Sequence, residues 1–194
     1  MPITDKLVAF YSMQEQAGSP RHSIAHGRAA LPLHEAYLNL SKASSATPLI
    51  NASGSSITRV ADGIFGPYSA QFAAGQVLVA PRSESPQLHI GGRSAALSLF
   101  AWVKKERHVP TSEKQVSMEF IAGVWSESRG LRQFGMFLDL QKGKLSHLID
   151  FEISGVGGPT PGHRWCITRA IGTRAVLPGV WNCLTLTYDG QAIR

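Results

Sequence analysis

The chain has 194 residues, of which 43% are hydrophobic and 16% charged, and its formal net charge is +6. This composition is that of an ordinary globular protein and excludes a disordered chain, and no apolar run approaches the about 18–20 residues that a membrane-spanning helix needs. The cations are scattered (Arg21, Arg28, Arg59, Arg82, Arg93, Lys104, Lys105) or mixed with acids, as in Lys104-Lys105-Glu106-Arg107. They lack the basic cluster with interleaved aromatics that marks a nucleic-acid binder and read as a solvated surface.

The length suits one domain, residues 1–194, with 14–60 as a loop-rich insertion. Nineteen Gly and eleven Pro imply the frequent turns of an all-β fold. The N-terminal MPITDKLVAFYSM has too short an apolar run for a secretory signal, so the expected location is cytoplasmic, or extracytoplasmic if a leader precedes it. Cys166 and Cys183, the only two cysteines, exclude a four-thiolate zinc site. They lie in strands around one turn and could form a cross-strand disulfide, although two buried thiols are the expectation in the cytoplasm.

In chain order, Lys6 to Met13 reads as a first strand. Gln14 to Gly27 is turn-forming, and ALPLHEAYLNLS within 29–41 fits neither period, so it is read as irregular or a short helix. The Ser/Ala-rich stretch 41–56 resembles a linker. In DGIFGPYSAQF (62–72) the Asp-Gly and Gly-Pro pairs set tight turns that send Phe65 and Tyr68 toward a core. Gln76 to Ala80 is a strand, and a short element surrounds Leu88 and Ile90. From Ala96 to Lys104, Leu97, Leu99, Ala101 and Val103 share one face while Phe100 and Trp102 share the other, the pattern of a central strand in a two-sheet sandwich. Strands are expected at Met118–Trp125 and Phe134–Leu140, joined by a polar loop over 126–133, and again over 144–153. The glycine-proline run GVGGPTPG (155–162) is a loop. Arg164–Ala170 and Trp181–Tyr188 form a last pair of strands, with Trp102 and Trp181 expected in the core.

The strand containing Trp102, the segments FIAGVWSES and FGMFLDL, and above all GVWNCLTLTYDGQAIR resemble the laminin-G-like, concanavalin A-like jelly rolls. DGIFGPYSAQF is similar to that family's early segment. The resemblance implies an all-β, two-sheet antiparallel sandwich of jelly-roll type that lacks its last strands. It would leave an open sheet edge near Arg194, to be covered by further domains or a partner strand. Calcium is implied by the resemblance alone, and no full ligand set matches, so no cofactor or metal is assigned.

Two constellations carry chemistry. In IDFEIS, alternation puts Asp150 and Glu152 on one face, roughly 7 Å apart, a separation compatible with a two-carboxylate glycosidase. The family's longer motif fails at Ser154, and a solvated strand face is the plainer reading. The second lies at the 125–133 turn. There an exposed Trp125 would offer a stacking platform, while Glu127, Arg129, Arg132 and Gln133 supply charges, donors and acceptors for hydroxyls or a carboxylate. His147 is added as a further ligand-binding candidate. His147 and His163 lack the spacing of a metal pair, while Asp139 and Asp189 read as structural. No Gly-x-Ser-x-Gly elbow is present, since GSSIT lacks the closing glycine.

These readings lead to a non-catalytic recognition module for a carbohydrate or protein ligand, bound through loops at one rim of the sandwich, with no nucleic-acid or membrane partner. The alternatives are a glycoside hydrolase fragment using Asp150 and Glu152, and a structural N-terminal domain of a longer protein.

Overall fold

In the computed structural model, residues 6–25, 27, 31–38, 49–50, 56–91, 95–106, 119–126, 130–138, 147–158 and 168–194 are described. They contain antiparallel strands and two short 3₁₀ turns, Arg82–Glu84 and Pro86–Leu88, and no α-helix. No helix among them is long and apolar enough to cross a membrane. The chain divides into two compact units, Met1–Leu88 and His89–Arg194.

The first unit is organised on β2 (Pro32–Tyr37), which follows β1 (Arg21–His22) and precedes β3 (Leu49–Ile50). β2 pairs with β1, with β3 and with β6 (Gln76–Val79). Between them, β4 (Thr58–Val60) and β5 (Ser69–Gln71) form a separate antiparallel pair. The stretch 14–60 thus carries four strands among its described residues. The expectation of an irregular or helical segment over ALPLHEAYLNLS is corrected to strand β2. Its period was obscured because consecutive residues Glu35 and Ala36 are both buried, one as a hydrogen-bonded charge and one as an apolar side chain. The expected first strand at Lys6–Met13 is corrected as well. That segment is anchored by isolated bonds, Phe10 N–H to Ser23 Oγ at 3.1 Å and Ile24 N–H to the Phe10 carbonyl at 2.8 Å, and forms no ladder. Phe65 packs edge-on against Phe10, with centroids 4.9 Å apart, yet stays 50% exposed. Tyr68 is covered by the Arg59 guanidinium at 3.3 Å from its ring centre.

The second unit stacks two antiparallel sheets. One holds β7 (Leu97–Lys104) and β12 (Trp181–Tyr188); the other has the order β11-β10-β9-β8, from β8 (Glu119–Ser126), β9 (Leu131–Leu138), β10 (Leu148–Ile153) and β11 (Thr168–Ala175). Leu97, Leu99, Ala101 and Val103 of β7 and Leu184 and Leu186 of β12 meet Ile121, Met136, Leu138, Ile149 and Phe151 of the facing sheet. Period-2 alternation on both sides builds this core. The expectation that the last two strands form a pair is therefore corrected: β11 and β12 lie in different sheets. The chain changes sheets at Val176–Val180, where Pro178 has no N–H to continue a ladder. The Asn182 side chain pins that corner by donating to the carbonyls of Leu177 at 3.0 Å and Val180 at 2.8 Å.

Trp102 was expected in the core and is instead 41% exposed, beside Phe100 at 58%. The β7 alternation therefore records one partly buried, core-facing side and one exposed apolar side. Trp181 is half-buried. Cys183 is a free, exposed thiol, which corrects the expectation of a disulfide and, for this residue, that of a buried thiol; Cys166 lies outside the described residues.

Gly123, in the middle of β8, has φ 152°, and a Cβ there would sit 2.3 Å from the Phe134 carbonyl oxygen of the paired strand. Backbone cannot give way as a side chain can. Gly123→Ala is expected to destabilise the second unit by about 1–3 kcal/mol through overpacking, measurable as a lower denaturant midpoint at unchanged m-value.

Candidate functional site

The face of the four-stranded sheet turned away from the core carries the candidate chemistry. Directly opposed residues of antiparallel strands share a face, so the register defines its rows. One row runs Phe120, Phe137, Asp150, Ile171, and the next runs Gly123, Gly135, Glu152, Arg169. Asp150 and Glu152 therefore do share a face, as alternation requires.

That face is not a solvated strip at Asp150, which is 1% exposed. Its Oδ2 lies 2.6 Å from Arg169 Nη2 in an ion pair, and neither carboxylate oxygen meets hydrogen-bond geometry. Burial raises the carboxyl to about 6, and the Arg169 charge opposes the shift. Glu152 is half-buried, and its register partners are Gly135 and Arg169. A hydrolytic pair would need Asp150 open to a glycosidic oxygen; here that carboxylate faces a guanidinium instead.

Trp125 stands at the end of β8. Its ring meets Phe137 edge-on at 5.4 Å between centroids, and Phe120 meets the same Phe137 at 5.4 Å. Gly135 makes room for this row: a Cβ there would lie 2.5 Å from Phe137 Cε2 and 3.4 Å from Trp125 Cε3. The Arg132 guanidinium lies 5.8 Å from the indole centre, within cation–π range. The expected polar loop 126–133 is shorter than read. β9 already begins at Leu131, so Arg132 and Gln133 are strand residues, and Arg132 is 6% exposed rather than a surface cation. Trp125 is half-buried rather than an open platform.

The buried polar atoms at this end that make no hydrogen bond include Trp125 Nε1 and Gln133 Oε1, beside two nitrogens of Arg132. Trp125 Nε1 is a donor and Gln133 Oε1 an acceptor. Beside them, the Gly157 carbonyl accepts the Arg132 N–H at 3.1 Å, and Ser154 N–H donates to the Gln133 carbonyl at 2.8 Å. Gly157 has φ 79°, and a Cβ on it would sit 2.5 Å from the Gly130 carbonyl oxygen, so only glycine allows the 155–158 turn to close on the hairpin.

Of the remaining candidates, Glu127, Arg129, Asp139 and His163 lie outside the described residues. His147 lies at the opposite end of β10 from this cluster, with φ 64°, its carbonyl accepting Val176 N–H at 2.7 Å. The strand between is about 17–20 Å long, so His147 does not join Trp125. Asp189 is structural: its Oδ1 accepts the N–H groups of Gln191 and Ala192 at 2.9 and 2.8 Å, and Arg194 pairs with Oδ2. Those bonds, the Ala192 N–H foremost, hold its carboxyl below the usual range. Among the described residues no group of three His, Cys, Asp or Glu could hold a metal ion.

Sequence reading missed Arg169, Phe137 and the paired glycines Gly123 and Gly135. Their roles depend on cross-strand register, which no local spacing displays. The exposed Phe100 and Trp102 did leave a signal, the aromatic half of the β7 alternation.

Comparison of the chain with protein-family models, with curated proteins and with solved structures finds no match.

Proposed function

We propose that the chain is a non-catalytic recognition module that binds a carbohydrate at the end of its sandwich where β8 turns into β9, with a protein ligand as the other occupant of the same rim. The observation that carries this reading is the unpartnered donor–acceptor pair Trp125 Nε1–H and Gln133 Oε1 beside an indole flanked by Arg132. Buried polar groups without partners are costly and uncommon in native proteins. Sugar hydroxyls both donate and accept and so can satisfy each of these atoms, while the ring faces the indole. The two atoms are closed off from water, so binding is coupled to opening of this end, and an association rate that saturates with ligand concentration is its kinetic signature. The laminin-G-like, jelly-roll topology belongs to the same proposal and is supported by the stacked antiparallel sheets and the sequence resemblance.

The test is a glycan array followed by calorimetric titration of the best ligand. Trp125→Phe keeps a ring against Phe137 and removes only the N–H; with Gln133→Ala it is expected to weaken binding at least tenfold, the effect of about 1.4 kcal/mol. Binding untouched by both substitutions, or no ligand for folded protein, refutes the site.

A second reading, a glycoside hydrolase, is favoured by one feature only, the Asp150 carboxyl raised to about 6 beside a second carboxylate. Hydrolysis of an oligosaccharide that survives Glu152→Gln unchanged ends that assignment.

A further inference from the structure

Among the described residues, the free edges of the stacked sheets in the second unit are blunted to different degrees, and β7 the least. At the β12 edge, Thr187 exchanges both main-chain hydrogen bonds with Arg194, at 2.7 and 2.8 Å, and Tyr188 bridges Ile193, so the returning chain occupies that edge at its end. The β11 edge carries Arg169 and Arg174. The β8 edge is broken by irregularities at Phe120/Ala122 and at Val124/Trp125. Charges, bulges and coverage are the devices by which proteins stop sheet edges from pairing. Among the described residues, none of these devices is found on β7 from Leu97 to Val103. It holds an unbroken register with β12 from Leu97 to Lys104, and its single charge is at the end.

The phase of the hydrogen bonding shows which main-chain groups look outward. Thr187 spends its N–H and C=O on Arg194, so its pairing with Ser98 is of the non-hydrogen-bonded kind. Ser98, Phe100 and Trp102 therefore point their N–H and C=O away from β12, and β12 is the only strand beside β7 among the described residues. The Gly179 N–H donating to the Lys105 carbonyl at 2.8 Å agrees with this phase. These same residues are exposed, Phe100 at 58% and Trp102 at 41%.

We propose that this edge pairs with β7 of a second copy, antiparallel about a two-fold axis at Ala101. That register is self-complementary. It sets Phe100 opposite the second copy's Trp102 and Trp102 opposite its Phe100, each pair exchanging two main-chain hydrogen bonds. Ser98 falls opposite Lys104, which keeps the two ammonium groups apart. On the inner face Leu99 meets Val103, so the apolar layer runs on across the junction. The aromatic cross-strand pairs lie on the face that the single copy leaves exposed. A closed two-fold contact of this kind uses up the edge and stops at two copies.

The experiment is sedimentation velocity of the full 194-residue chain over a hundredfold range of concentration, with Trp102→Lys and, as control on the other edge, Thr185→Lys. The expected result is a reversible monomer–dimer equilibrium that Trp102→Lys shifts to monomer and Thr185→Lys leaves in place. Amide hydrogen exchange of the unaltered chain gives a readout that needs no variant to fold: protection at Phe100 and Trp102 should rise with concentration, while that at Cys183 and Thr185 stays level. A chain that is monomeric throughout, a dimer lost on Thr185→Lys but not on Trp102→Lys, or concentration-independent exchange at Phe100 and Trp102 overturns the proposal.

Discussion

Glu35→Ala is expected to lower the melting temperature of the first unit by roughly 12–40 °C, the consequence of losing about 3–5 kcal/mol when one member of a buried ion pair is removed. Glu35 is 3% exposed and Arg21 is 1% exposed. The Glu35 Oε1 accepts Arg21 Nη2 at 2.8 Å and the Gly18 N–H at 2.9 Å, while Oε2 accepts the Ile57 N–H at 2.9 Å. One carboxylate thus ties β1, the turn before it and the segment entering β4 to β2. Removing it strands a buried guanidinium, whose other partners among the described residues are the carbonyls of Gln16 and Ser19, together with two main-chain donors. Replacing both charges, Arg21→Met with Glu35→Leu, should recover only part of the loss. It removes the orphaned charge and still leaves the Gly18 and Ile57 N–H groups without acceptors. A circular-dichroism melt of each variant decides the matter, and a Glu35→Ala midpoint within a few degrees of the unaltered chain would show that the network is not what holds this unit.

This network also explains where sequence reasoning stopped. In the second unit the strands were legible because their chemistry is local: LSLFAWVK and WNCLTLTY each alternate, and the alternation alone separates core face from outer face. In the first unit the organising residue is a glutamate within an apolar run. Read locally, Glu35 breaks the pattern of PLHEAY, and only partners at positions 18, 21 and 57 turn it into a core residue. The site shows the same limit. Trp125, Arg132 and Gln133 were identified from residue type, and the structure does bring them to one end of the β8–β9 hairpin. His147 stood among the same ligand-binding candidates, and the length of β10 separates it from the other three. That Asp150 and Glu152 share a face followed from period 2, whereas the burial of Asp150 depends on Arg169, which arrives from a strand almost twenty residues later and carries no signal of its own.

Asp150 yields the other large expectation, a loss of stability of about 3 kcal/mol in the second unit as pH rises from below the unfolded pKa of 3.8 to well above the folded value of about 6. The carboxyl titrates near its ordinary value of 3.8 in the unfolded chain and at about 6 in the fold, because burial disfavours the charged form more than Arg169 supports it. Between those values the folded chain binds more protons than the unfolded one, so raising the pH favours unfolding. The contribution is fully present below the unfolded value and is lost once the pH passes the folded one. Asp150→Asn removes the titrating group while keeping its shape, and Arg169, with 27% of its side chain exposed, can turn its guanidinium to water. The variant should therefore match the unaltered chain near pH 4, exceed it in stability at pH 7, and show a flatter profile between. Arg169→Ala should move the fall to higher pH, since it deletes the charge that holds the carboxyl down. Urea titrations at half-unit steps from pH 4 to 7 measure all three profiles. Parallel curves for the unaltered chain and Asp150→Asn would mean that the Asp150 carboxyl is solvated in the native state, and that the outer sheet face is open there.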